Sequence, residues 1–145
     1  MSTYVVTCVF CGTANRIPTE KEGRHGHCGN CHKELPPMYY RPQQLTEGTF
    51  DAFIKGYSDP VLVEFWAPWC PHCMSYAPAV QKVAEMLAGT AAVVQVDTQE
   101  NPGLARRFGV SSIPVLILLR QGRVVDQLPG TQSSEAIAVW FRSHR

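Results

Sequence analysis

Three Cys-x-x-Cys pairs contain all six cysteines of the 145-residue chain. A pair with this spacing places two sulfurs on one turn, where they can bind a metal ion or exchange a disulfide. Two pairs fall in the first quarter of the chain and the third lies near its middle. The pairs are Cys8 and Cys11, Cys28 and Cys31, and Cys70 and Cys73. We interpret each pair by the elements that surround it.

The first two pairs, here called the N-terminal tetrad, are separated by sixteen residues. This spacing is typical of zinc sites, in which two tight turns complete a tetrahedron of thiolates. Few large apolar residues surround the tetrad, so a cross-link must supply folding energy that burial cannot. The sequence therefore predicts a structural Zn²⁺ site. His25, His27 and His32 are rival ligands, and two disulfides or a rubredoxin-like iron site are the alternatives.

The third pair begins where an apolar run, "VLVEFWA", gives way to helical periodicity. Cys70 would then face the unpaired N–H groups and the positive dipole end of a helix, which favour the thiolate. Cys73 follows one turn later and can close a disulfide. A metal site here would need further ligands, and only His72 is close in sequence. We therefore interpret this pair as a redox couple.

The elements that must position these cysteines divide the chain into two parts. Residues 1–41 are predicted to form the zinc-ribbon segment and a proline-rich linker, and residues 42–145 a second domain. Within that domain the apolar periodicity predicts helix, strand, helix, strand, helix, strand, strand, helix. The fold class is therefore α/β, with a mixed sheet between helices. We expect Thr49 to cap the first helix, and a stripe of Ala77, Val80, Ala84 and Leu87 to be buried in the second.

Composition excludes several classes of protein. A net charge of +1 and the lack of a basic-aromatic stripe argue against nucleic acid as a partner. No apolar run is long enough to span a membrane, and the first residues do not resemble a signal peptide. We therefore expect a cytoplasmic protein with no membrane partner. Because the chain can cover its own core, we also expect a monomer.

The stretches "VLVEFWAPWCPHC" and "VDTQENPGLARRFGVSSIPVLILLRQGRVVDQLPG", with the order of elements, resemble the thioredoxin family over residues 45–145. With the N-terminal tetrad included, the chain resembles the bacterial thioredoxin 2 subfamily. The resemblance implies a thioredoxin fold, with Cys70 as the exposed nucleophile and Cys73 as the resolving thiol.

The resemblance also implies a substrate-binding surface. Trp66 and Trp69 occupy the family's tryptophan positions, although core packing explains Trp66 equally well. Pro114 takes the place of the family's cis-proline, which would leave the backbone of Ile113 free to pair with an extended substrate. Gly130 matches the glycine of the neighbouring loop, where it could also serve only as a turn.

The dipeptide between the redox cysteines departs from the family. Thioredoxins usually carry Gly-Pro, whereas this chain has Pro71 and His72, which resembles the oxidant DsbA. The His72 imidazole adds a possible donor beside Cys70. A more stable thiolate would make the couple more oxidising. The alternative is that His72 is an exposed spacer without an electrostatic role.

A second departure concerns an acid in the first strand. Glu64 stands where thioredoxins carry a buried aspartate, and the resemblance implies a general base that takes a proton from Cys73 through water. The alternative is an acid that reaches solvent at the end of the strand. Val93 is expected at the position of a family lysine beside this acid. Without that cation, Glu64 should be protonated more easily.

These observations predict a protein-disulfide reductase that an NADPH-dependent thioredoxin reductase recharges. No organic cofactor is expected. One alternative is a disulfide oxidase or isomerase tuned by Pro71 and His72. Another is a non-catalytic sensor or holdase, in which oxidation of the zinc thiolates releases the metal.

Overall fold

Residues 3–144 are described by a computed structural model. The N-terminal part consists of two antiparallel hairpins: β1 (Thr3–Thr7) with β2 (Ala14–Pro18), and β3 (Gly26–His27) with β4 (Glu34–Leu35). Each hairpin returns the chain over one Cys-x-x-Cys turn. The two turns thereby lie at the hairpin ends, where a shared ion can join them.

The rest of the chain forms a five-stranded mixed sheet in the order β5-β7-β6-β8-β9, flanked by four helices. The strands β7 and β6 are parallel, whereas β8 and β9 run antiparallel to their neighbours. This is the predicted thioredoxin fold. The elements are β5 (Gln43–Gln44), α1 (Phe50–Gly56), β6 (Val61–Trp66), α2 (Pro71–Leu87), β7 (Ala92–Asp97), α3 (Pro102–Arg107), β8 (Val115–Arg120), β9 (Arg123–Pro129) and α4 (Ser134–Ser143).

In the sheet domain the eight predicted elements occur in the predicted order, and one strand of residues 42–144 was missed. The missed strand β5 has only two residues, both polar, and lies at the sheet edge beside β7. The cap predicted at Thr49 is wrong in its chemistry. Thr49 occupies the cap position of α1, but its hydroxyl accepts the N–H of Thr46 at 2.9 Å instead of capping the helix.

The sheet separates two apolar layers. One layer places Val63 and Phe65 against α1 and α3, and the other places Leu62 against α2 and α4. This arrangement follows from the two-residue period of β6, in which alternate side chains enter opposite layers. Glu64 shares the second layer with Leu62, so the only acid of β6 is enclosed on the α2 side.

The stripe predicted for α2 is partly wrong. Ala77 is exposed, and Tyr76 and Val83 lie in the buried layer instead. Val80, Ala84 and Leu87 are buried as expected, which keeps the helical spacing. Tyr76 packs in the layer with Val80 and Val83.

Two neighbouring tyrosines join the N-terminal part to the sheet domain. Tyr40 stacks on Tyr4 of β1 at a centroid distance of 5.4 Å. Tyr39 turns the other way and contacts Phe53 at 5.0 Å and Tyr57 at 5.5 Å. The linker is therefore packed against both parts. Within residues 3–144, no helix combines the length and the apolar character that crossing a membrane requires.

Candidate functional site

Cys70 lies at the N-cap of α2, four residues beyond the end of β6. Its Sγ accepts the backbone N–H of Cys73 at 3.2 Å. Pro71 occupies the first helical position, where the missing N–H breaks no helical hydrogen bond. The end of β6 and the start of α2 thus place the Cys70 sulfur beside a free backbone N–H of the first helical turn, as the sequence predicted.

Cys70 and Cys73 form a disulfide, with their Cα atoms 5.2 Å apart. The expected exposure of Cys70 is wrong: the residue is 5 % exposed, against 3 % for Cys73. Exposure therefore does not distinguish the two cysteines. Their environments do, because within residues 3–144 the sulfur of Cys70, and not that of Cys73, accepts a backbone N–H at the helix start. Such contacts stabilise a thiolate.

The surface around the disulfide is partly apolar. Trp69 is 67 % exposed, and with Ile113 it lines a cavity of about 190 Å³. The peptide bond between Ile113 and Pro114 is cis. Gly130 donates its N–H to the Pro114 carbonyl at 3.0 Å and adopts a φ of +76°. The positions implied by the resemblance, Trp69, Ile113, Pro114 and Gly130, thus adjoin one another beside the disulfide.

Two other residues near the disulfide, Trp66 and His72, do not form part of this surface around Trp69 and Ile113. Trp66 is partly buried and packs against Cys70 and Cys73, so it serves as support beneath the site. His72 is exposed, and within the described chain its side chain makes no hydrogen bond to the Cys70 sulfur. In this oxidised form the backbone of His72 is hydrogen-bonded, since its carbonyl accepts the Ser75 hydroxyl at 3.0 Å.

Glu64 is buried, with 1 % of its surface exposed, which rules out the alternative of an acid that reaches solvent. Its Oε1 accepts the Gln95 side-chain amide at 2.7 Å, and its Oε2 has no partner within residues 3–144. Burial raises the pKa of Glu64 to about 7, although the hydrogen bond from Gln95 opposes the shift. The carboxyl group can therefore take up or release a proton near neutral pH.

The residue opposite Glu64 on β7 is Gln95, and Val93 lies two residues away in the same buried layer. In the parallel pairing of β6 and β7, Glu64 lies opposite Gln95, whereas Val93 lies opposite Leu62. The sequence did contain the signal for Gln95. Aligning "VLVEFW" with "AVVQVD" from their first residues places the acid opposite the glutamine.

The N-terminal tetrad converges on one point. Its four sulfurs lie within 4.8 Å of one another, with Cys8–Cys31 and Cys11–Cys28 both at 3.6 Å. A tetrahedral zinc ion with Zn–S bonds of about 2.3 Å would hold its sulfurs about 3.8 Å apart, so the donor set fits this ion. None of the three nearby histidines joins this cluster in the described part of the chain.

Donors favour the thiolate at Cys11 and Cys28, whereas at Cys31 the backbone hydrogen bond of Lys33 is outweighed by burial and the neighbouring sulfurs, which raise the pKa to about 11. The backbone N–H of Asn30 lies 3.4 Å from the Cys28 sulfur, and its side-chain amide lies 3.6 Å from the Cys11 sulfur. The Thr13 side chain, followed by its backbone and Asn30, lowers the pKa of Cys11 to about 5. Since metal ligands must be deprotonated, this environment suits the binding of a cation.

Known proteins share both parts of this architecture. The family described as Thioredoxin matches residues 41–143, and the zinc-ribbon family described as Thioredoxin 2, N-terminal, matches residues 7–33. The chain belongs to the thioredoxin family. Thioredoxin C-3 of Corynebacterium nephridii is 35 % identical over 94 % of this chain and 92 % of its own.

Two further thioredoxins match the sheet domain. Thioredoxin 1 of a Nostoc species is 38 % identical over 70 % of this chain and 94 % of its own. The structure of a mutant thioredoxin from Halobacterium salinarum superposes with a TM-score of 0.68 and 30 % identity, covering 75 % of this chain and 95 % of that one. The protein is thus a thiol-disulfide oxidoreductase with the disulfide chemistry of thioredoxins at Cys70 and Cys73.

Proposed function

We propose that this thioredoxin reduces disulfides in other proteins, with Cys70 as the nucleophile and Cys73 as the resolving thiol. The observation that carries the proposal is the N–H of Cys73, which points at the Cys70 sulfur from 3.2 Å. In the reduced protein, the Cys70 thiolate attacks one sulfur of a substrate disulfide and the other sulfur leaves as a thiolate. Cys73 then attacks Cys70 and releases the second substrate thiol. Two electrons pass to the substrate, and the Cys70–Cys73 disulfide remains.

Glu64 is proposed as the base for the second step. Its carboxylate accepts the proton of the Cys73 thiol through a water molecule, which makes Cys73 nucleophilic. Two features of Glu64 support this role. It is enclosed in the α2 layer, and its pKa of about 7 lies near working pH.

The substrate is proposed to bind as an extended segment beside Ile113. The backbone N–H and C=O of this residue form no hydrogen bond within residues 3–144, so both can pair with a strand. The exposed ring of Trp69 and the turn at Gly130 border the same place.

The N-terminal tetrad is proposed to hold Zn²⁺ as a structural ion. The ion would cross-link the two hairpins and supply folding energy to residues 1–41, which form the first of two domains. The second domain is residues 42–145. We further propose that the protein is cytoplasmic, because reducing conditions in the cytoplasm keep zinc thiolates intact. We also propose that it is a monomer and that an NADPH-dependent thioredoxin reductase is its electron donor.

A second candidate function is that of an oxidase or isomerase. The observation that favours it is His72, exposed in the first turn of α2 and free to approach the Cys70 thiolate after reduction. A protonated imidazole there would stabilise the reduced form and make the disulfide a stronger oxidant. The two functions share every step and differ in the direction of electron flow.

Insulin reduction driven by dithiothreitol tests the proposed roles. We expect Cys70→Ser to abolish the acceleration, with zinc content unchanged. Mixed with insulin without dithiothreitol, the reduced Cys73→Ser variant should accumulate a mixed disulfide, because the resolving thiol is missing. Equal trapping by both variants would contradict the assignment of Cys70 as nucleophile. Loss of zinc from wild type in step with turnover would instead favour the sensor function.

A further inference from the structure

Two glutamines connect the surface of the molecule to the buried acid. The side-chain amide of Gln44 in β5 donates to Oε1 of Gln95 in β7, and Nε2 of Gln95 donates to Oε1 of Glu64 at 2.7 Å. Gln44 is exposed, Gln95 is half-buried and Glu64 is buried. These hydrogen bonds cross three adjacent strands, in the order β5, β7 and β6.

We propose that Gln44 is a positioning residue for Glu64, acting through Gln95. A glutamine side chain has a donating and an accepting end of nearly equal shape, so its neighbours decide which end faces a given group. Gln44 donates to the oxygen of Gln95 and thereby turns the NH₂ group of Gln95 towards Glu64. Without that contact the Gln95 amide can rotate and present its oxygen to the acid.

The orientation of Gln95 decides which form of Glu64 is stabilised. An NH₂ group facing the acid stabilises the carboxylate, whereas a carbonyl oxygen facing it accepts a hydrogen bond from the protonated acid. Burial is the larger influence on the pKa of Glu64 and raises it, and the Gln95 donor lowers it. Gln44 thus helps to keep this pKa near 7, where the group can gain and lose a proton.

Other groups facing Glu64 do not replace this contact. From β8, Leu116 lies opposite Glu64 and is apolar. From α4, Ile137 and Phe141 complete the same apolar layer. From α2, Tyr76 is a titratable neighbour, and Cys73 does not titrate while it is held in the disulfide. Burial, followed by the charge of Glu64, raises the pKa of Tyr76, so this phenol stays neutral where Glu64 titrates.

The hydrogen bond between Gln44 and Gln95 depends on the position of the edge strand β5. Gln44 lies in a two-residue strand that follows the linker from the N-terminal domain. A shift of β5 along the edge of the sheet would move the Gln44 amide away from Gln95. The catalytic consequence rests on the proposed role of Glu64 as base, whereas the effect on its titration does not.

The test is the titration of the Glu64 carboxyl carbon by nuclear magnetic resonance in the oxidised protein, where Cys70 and Cys73 cannot titrate. Gln95→Leu removes the donor and should raise the pKa of Glu64 by about 0.5 to 1 pH unit, the equivalent of one hydrogen bond. Gln44→Leu should raise it by a few tenths of a unit, on the order of half that effect.

Gln43→Leu is the matched control. Gln43 lies in the same strand, but its amide donates to the carbonyl of Arg41 at 2.8 Å and does not touch Gln95. We expect this variant to leave the titration unchanged. If Gln44→Leu matches Gln43→Leu while Gln95→Leu raises the pKa, the positioning role of Gln44 is refuted. If none of the three variants changes the pKa of Glu64, the role of Gln95 in setting that pKa is refuted as well.

The pH profile of disulfide reduction separates this proposal from the proposed function. If Glu64 is the base, the profile should move to higher pH in Gln44→Leu by the same amount as the titration. A shifted titration with an unmoved profile would support the positioning of Glu64 and refute its role as base. An unshifted titration would refute the positioning, whatever the activity.

Discussion

Replacing Glu64 with glutamine should stabilise the protein at alkaline pH and have little effect at acid pH. Glu64→Gln keeps the shape of the protonated acid but cannot ionise. In the wild type, the buried carboxyl must lose its proton as the pH rises, at the expense of hydration that the folded protein does not replace. The variant avoids this ionisation, so the two proteins should differ only where wild-type Glu64 is charged.

The expected size follows from the pKa of Glu64 in the two states. Its ordinary value is 4.5, and burial raises the value in the folded protein to about 7. Between these values the folded state holds more protons than the unfolded state, so wild-type stability falls as the pH rises. The full effect is present below pH 4.5 and lost above pH 7. Each pH unit corresponds to about 1.4 kcal/mol, so the loss is about 3 kcal/mol.

Urea denaturation of the oxidised proteins at several pH values measures this difference. At pH 8 the midpoint of Glu64→Gln should exceed that of wild type by about 1 to 2 M urea, and near pH 4.5 the midpoints should nearly coincide. Glu85→Gln, which removes an exposed acid from α2, is the control for the loss of one carboxylate. A difference between Glu64→Gln and wild type that does not change with pH would refute the raised pKa.

Three further predictions concern other parts of the molecule. Exchanging Pro71 and His72 for Gly and Pro removes the imidazole beside Cys70, so the reduction potential should fall by about 30 mV or more, which equilibration with glutathione would detect. Ser133→Ala removes a hydroxyl that accepts an N–H of α4 at 3.1 Å, and should cost about 1 kcal/mol in thermal unfolding. Chelation of zinc should expose the amides of residues 3–41 to hydrogen exchange but leave insulin reduction intact. An unchanged potential, an unchanged melting temperature or unchanged exchange, respectively, would contradict these three expectations.

The order of elements was predictable because the apolar residues follow a helical period in some segments and form strand-length runs in others. The β6 run "VLVEFW" is continuously apolar, as a strand covered on both faces must be. The strand β5 was not predictable, because two polar residues carry no periodicity and pair only where β7 offers a free edge. Only the first member of the buried stripe of α2 was misplaced, because Ala77 and Tyr76 both fit the helical spacing to Val80.

The cysteines of both sites were recognisable because the sixteen-residue separation of the first two pairs is typical of zinc sites, whereas the third pair stands alone where a strand gives way to a helix. The hydrogen-bond partner of Glu64 was not predicted, because the likeness to the family pointed to Val93 and not to the register partner Gln95. The contact from Gln44 could not be foreseen. It joins residues 51 positions apart through a strand that the sequence does not reveal. Side chains that meet across the edge of a sheet need the register before they can be paired.

The reduction potential of the Cys70–Cys73 couple, measured in glutathione buffers with zinc bound, tests the proposed function most directly. A reductase must be able to pass electrons to substrates in a cytosol poised near about −220 mV or below. We therefore expect a value closer to about −270 mV, the figure for thioredoxin, than to about −120 mV, that for DsbA. A potential near the DsbA value would contradict the assignment as a reductase and identify the protein as an oxidase or isomerase.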